Sequence, residues 1–95
     1  MTSRNDVFAA IESEMDYQNM RVERDHGNPF HTVEDFILFM EYYLSETRRI
    51  ASTTWGPDAK PATLEFVRKV TALGASCMFQ HGAPQRAGFE RTVQT

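Results

Sequence analysis

With 95 residues, 41% apolar and 24% charged, the chain has room for one small domain of ordinary globular composition, which excludes disordered and collagen-like classes. A domain of this size buries only about 60 to 65% of the surface its unfolded chain exposes, so association with further copies would assist it. Thirteen Asp and Glu against ten Lys and Arg give a net charge of −3, and no global positive field draws the chain to DNA or RNA.

The first element runs from about Asp6 to Arg24. It places Val7, Ile11, Met15 and Val22 near one face at helical spacing, with Phe8 beside them and Ser3 or Asp6 available as N-cap. Gly27-Asn28-Pro29 stops it, because Gly and Asn tolerate positive φ and proline lacks the amide that continuation needs. Thr32-Val33-Glu34-Asp35 supplies an N-cap hydroxyl with an acid three residues on, so a second helix starts at Val33. Val33, Phe36, Ile37, Met40, Tyr43, Leu44, Thr47, Ile50 and Ala51 follow i, i+3, i+4, i+7 spacing, while Phe39 and Tyr42 lie outside that stripe. Between Phe36 and Leu44 only Glu41 is charged. So apolar a segment in so small a protein points to burial against a second subunit, with Phe36, Phe39, Tyr42 and Tyr43 as the expected oligomer interface.

Trp55 to Pro61 is a turn cluster short enough to make its flanking helices antiparallel neighbours. A third helix is expected from about Ala62 to Gln80, with Phe66, Val67, Val70, Leu73, Gly74, Cys77 and Met78 on its apolar face. Gly82, as a left-handed residue just past the helix, and Pro84 close it, and His81 can meet the last carbonyls. The reading is an all-α fold: a short N-terminal helix followed by an antiparallel two-helix hairpin, assembled as a homo-oligomer. Residues 1–86 form the single domain and 87–95 a mobile tail, with Phe89 and Val93 its only apolar anchors.

The longest apolar run, Phe36 to Met40, is far short of the about 20 residues that span a bilayer, and Met1-Thr2-Ser3-Arg4-Asn5-Asp6 has no apolar stretch behind it. Neither membrane insertion nor secretion is expected. A single cysteine, Cys77, suits a reducing cytoplasm.

Glu12, Glu14, Asp16, Glu34, Asp35, Glu41 and Glu46 lack the Glu-x-x-Glu and Glu-x-x-Asp spacings that hold Mg²⁺ in all-α nucleotide pyrophosphohydrolases of the MazG type, and they read as solvated helix faces. Cys77 and His81 stand at i, i+4, with His26 and His31 as conceivable further zinc ligands, but packing and helix capping account for the pair; no metal, cofactor or catalytic residue is expected. The five glycines are scattered and form no phosphate loop. A small anion site is the remaining chemistry. Arg21, Arg24, His26 and His31 cluster around the first helix break, Thr32 opens the next helix, and Tyr17 lies upstream. A planar ring, forked donors and helix amides together suit a base and its phosphate, whereas Glu34 and Asp35 oppose an anion.

Met15-Asp16-Tyr17-Gln18, His31-Thr32-Val33-Glu34-Asp35-Phe36, Glu41-Tyr42-Tyr43-Leu44, and Val67 to Gly74 running into Gln80-His81-Gly82-Ala83-Pro84 together resemble small tailed-phage proteins, over about residues 12–86. The layout also resembles, more distantly, the phage anti-CBASS sponges and related Thoeris anti-defence proteins. That resemblance implies a compact homo-oligomer, in the sponges typically a hexamer, in the cytoplasm of an infected bacterial host, binding a cyclic oligonucleotide or cyclic ADP-ribose-type signal without cleaving it. It implies that Tyr17 stacks on a base and Thr32 holds phosphate. The sponges' phosphate-binding lysine has no counterpart, since Phe30 stands two residues before Thr32, and Arg21, Arg24, His26 or His31 would supply the charge. A small adaptor that binds a host protein through Phe39 and Tyr42, and a divergent pyrophosphohydrolase, are the alternatives.

Overall fold

The computed structural model describes residues 1–88, the His26 side chain excepted, and the expected tail from Phe89 onward, with Val93, lies outside the described residues. Three helices and a short 3-10 turn make up the fold: α1 (Arg4–His26), α2 (Val33–Thr53), the turn at Gly56–Asp58, and α3 (Ala59–His81). Among the described residues there is no strand, and no helix is long and apolar enough to cross a membrane.

Local chemistry sets the helix ends. Ser3 and Asp6 are not alternative caps but two halves of one capping box. Ser3 Oγ accepts from the Asp6 amide at 3.1 Å while the Asp6 carboxylate accepts from the Ser3 amide at 3.3 Å. That box starts α1 two residues before the expected position. Gly27, at φ 81°, ends it in the left-handed conformation that glycine adopts without penalty. Thr32 and Asp35 repeat the box at α2, where Thr32 Oγ1 accepts from the Asp35 amide at 3.0 Å.

Two expectations need correction. The N-terminal helix is not short: at 23 residues α1 equals α3. Helix α3 begins at Ala59 rather than Ala62, because Pro61 sits within its first turn, where a proline ring meets no preceding helical carbonyl.

Helix α3 is the central element. The pair α2 and α3 has helical-hairpin character: the start of α2 meets the end of α3 through His31 and Gln80, and farther along the Tyr43 ring lies 6.5 Å from Phe66. Helix α1 packs on a different side of α3, where Gln18 Nε2 donates to the Lys69 carbonyl at 3.3 Å. The core is small. Phe36, 2% exposed, Ala72 and Leu73 are its buried apolar members. Phe36, expected at a subunit interface, therefore belongs to the protomer interior.

Candidate functional site

The α1–α2 connection is fastened to the end of α3 by two adjacent side chains, Gln80 and His81. Gln80 Nε2 donates to the Pro29 carbonyl at 3.0 Å and its Oε1 accepts from the His31 amide at 3.1 Å. His81 Nε2 lies 2.6 Å from the His31 carbonyl, and since a carbonyl only accepts, that nitrogen carries the proton. The His31 ring stands edge-on to Phe36 and Phe39 with centroids at 5.6 and 5.1 Å. His31 is thus part of an aromatic cluster. Thr32 is an exposed cap whose oxygen already accepts from the Asp35 amide, and the Asp35 carboxylate leans back over the same helix end.

Of the remaining expected residues, Tyr17 and Arg21 lie one turn apart on α1 but open into different depressions. Arg21 joins Gln18, Val22, Asp25, His31, Phe39 and Tyr43 around a cleft of about 240 Å³ between α1 and α2, floored by Leu73. Tyr17, half-exposed, joins Ser13, Glu14, Arg68 and Lys69 in an open depression of about 560 Å³ between α1 and α3. Arg24 points to solvent and pairs with Asp25 at 3.0 Å, and this hydrogen bond with the Asp25 charge raises the guanidinium pKa. The His26 side chain lies outside the described part. Of the five described residues, Arg21 and His31 share a cleft, while Tyr17, Arg24 and Thr32 stand apart from it.

What the sequence did not reveal is the polar seam beneath Tyr17. The Arg68 guanidinium donates to Glu14 at 2.8 Å and to both oxygens of Glu65, at 3.0 and 2.6 Å. Hydrogen bonds to Glu65 and Glu14 drive its pKa up against the opposing effect of burial. Two carboxylates absorb that one charge, so Arg68 offers little to an anion. Lys69 differs: among the described residues it has no salt bridge, and its ammonium lies 6.0 Å from the Phe66 ring. Tyr17 and Lys69 are distant in sequence, and only the crossing of α1 over α3 brings them together. A polar pair at Glu14 and Gln18, one turn apart on a helix face that otherwise packs inward, was the available signal.

Other chemistry is less developed. Among the described residues no group of three or more His, Cys, Asp or Glu side chains converges where a metal ion could sit. Tyr43 packs toward Phe66, Phe39 lines the α1–α2 cleft, and Tyr42, 60% exposed, is the most accessible of the expected interface residues. A third depression of about 430 Å³, between α1 and the end of α3, is walled by Phe8, Ile11, Met15, Phe30 and Phe79 over the buried Ser76 hydroxyl. Comparison with known proteins returns no matching family model, no matching curated protein and no matching solved structure.

Proposed function

We propose that this chain is a non-enzymatic, homo-oligomeric binding protein that sequesters a small nucleotide-derived anion. The ligand is a cyclic oligonucleotide or a cyclic ADP-ribose-type signal, and the setting is the cytoplasm of an infected bacterial cell. The observation that supports this reading is the juxtaposition of the half-exposed Tyr17 ring with Lys69 in one depression, beside Ser13. A planar ring, an ammonium free of salt bridges and a hydroxyl suit a base, a phosphate and a sugar or phosphate oxygen in turn. Lys69 takes the cationic role that the sequence alone left to Arg21, Arg24, His26 or His31. A second reading, an adaptor that contacts a host protein, is favoured by the exposed Ile37, Leu38 and Tyr42 on α2.

Titration calorimetry with cyclic di- and trinucleotides and cyclic ADP-ribose isomers, followed by heat denaturation and mass analysis of the released ligand, separates the readings. Intact recovery supports sequestration, cleaved product supports a hydrolase, and absence of binding supports the adaptor. Tyr17→Ala weakens binding by about 1 to 3 kcal/mol, the usual loss of a base–aromatic stack. Lys69→Gln weakens it further at low salt than at high salt, because screening has already removed part of the charge contribution. Affinity indifferent to both substitutions places the ligand elsewhere.

A further inference from the structure

We infer that α3 pairs with α3 of a second copy, antiparallel across a two-fold axis passing beside Thr71. The inference rests on the homo-oligomer of the proposed function and gives it a defined contact. Viewed down its axis, α3 has three faces. One meets α1 through Arg68, Ala72 and Ser76; another meets α2 through Phe66, Leu73 and Gly74, the last of which faces Met40. The third is largely open to solvent. At 3.6 residues per turn, Leu64, Val67, Thr71, Ala75 and Met78 fall within about 80° of arc on it. Leu64, Val67 and Met78 are 53%, 43% and 48% exposed.

Three features identify a second copy as the occupant. First, the stripe carries no charge between Leu64 and Met78, whereas the exposed apolar residues of α2 are interleaved with Glu34, Glu41 and Arg48. Charge-free surface is what a helix interface buries at least cost. The Thr71 hydroxyl donates to the Val67 carbonyl at 2.7 Å, so it needs no water and turns its methyl outward. Second, the stripe is self-complementary. Reversed about Thr71, Leu64 meets Met78 of the other copy and Val67 meets Ala75, large against small or flexible, as a two-fold contact requires. Ala75 and Thr71 near the centre are small enough for the helix axes to approach to about 8 to 10 Å, as in ordinary helix packing. Third, Lys60 lies exposed in the first turn of α3, the wrong end of its own helix dipole, and the antiparallel arrangement sets it beside the carbonyl end of the other α3.

The chain as a whole exposes 7797 Å², about 2,200 Å² more than a compact monomer of 10.9 kDa, so it has surface to bury against a second copy.

The test uses the full chain in a Cys77→Ala background, checked for unchanged helicity and melting. Thr71→Cys places a thiol at the axis, where two Cα atoms come within the about 7 Å that a disulfide spans. Mild oxidation with diamide is expected to give a covalent dimer in high yield from Thr71→Cys and little from Leu38→Cys on α2. Val67→Arg, on a side chain exposed in the protomer, is expected to retain helicity and raise the dimer dissociation constant by at least about 100-fold in sedimentation. Sedimentation of the wild-type chain as a monomer overturns this contact and the homo-oligomer together. An oligomer that cross-links at Leu38 and not at Thr71, or that is indifferent to Val67→Arg, overturns the α3 pairing alone. Ligand capture by calorimetry is read separately from both.

Discussion

Glu14 is a carboxylate with 5% of its surface exposed, and it is held by one hydrogen-bonded partner, Arg68, which also grips the exposed Glu65. Removing one member of a buried pair strands the other charge, which costs more than the pair is worth intact. Arg68→Ala therefore destabilises by about 3 kcal/mol in urea unfolding. Glu14→Gln costs less, since an amide survives burial beside the guanidinium better than a lone carboxylate does. The hydrogen bond from Arg68 holds the Glu65 carboxyl below its usual range. That contact is therefore fully formed above the unfolded carboxyl pKa and fades as pH falls through the lower folded value, a direction that side-chain carbon shifts of Glu65 in an acid titration report. Gly82 acts through the backbone alone. At φ 121° and ψ 147° it is not in the left-handed helical conformation expected of it but in an extended positive-φ region closed to side chains, yet an added Cβ would meet no atom within 4 Å. Strain without crowding sets the cost of Gly82→Val at about 1 kcal/mol, read as a lowered melting temperature.

The helices differ in how far their own residues account for them. Both α1 and α2 open with a reciprocal capping box, and Thr32→Ala removes an acceptor for the Asp35 amide. The expected loss is about 1 kcal/mol of stability, measured by thermal unfolding. The same variant separates two roles: capping lowers stability and leaves calorimetric binding unchanged, whereas a phosphate contact lowers binding as well. The cap residues, Gly27 and the α2 start at Val33 were legible because each depends only on neighbours within a turn. The length of α1 was not, because the strongest apolar spacing stops at Val22, and its last turn is carried by the Gly27 cap and by Gln80 fastening the following loop from α3.

As a whole the molecule is thin and extended. Its radius of gyration is 15.3 Å, against about 12 Å for a compact chain of this length, and its smallest dimension is 21 Å, about two helix diameters. With so few buried apolar side chains, each carries a large share of stability. Phe36, held among His31, Phe39 and His81, is the key member. Phe36→Ala is expected to cost about 3 kcal/mol, the low end for a buried aromatic, since a thin core can collapse onto the vacated space. Unfolding in urea measures it, and at low protein concentration any contribution from assembly is excluded.

From sequence alone came the all-helical class and the helix breaks, because hydrophobic period, caps and glycine or proline stops act over a few residues and do not depend on which helix packs where. Of the apolar stripes expected to face inward, Phe36 and Leu73 are buried while Val33, Ile37, Leu44, Val67 and Met78 are exposed, since three helices offer too little surface to cover them. The pairing of α2 with α3 was legible too, since a short turn leaves adjacent helices little choice. What only the tertiary structure decided is the central place of α3, the burial of Phe36 within the protomer, and the meeting of Tyr17 with Lys69. It also decided that Arg21 and His31 share a cleft apart from Tyr17. The meeting of Tyr17 with Lys69 goes with the packing of α1 on α3, where Glu14 pairs with Arg68 and Gln18 with the Lys69 carbonyl, partners that lie about fifty residues apart in the chain. No local pattern encodes such a distance.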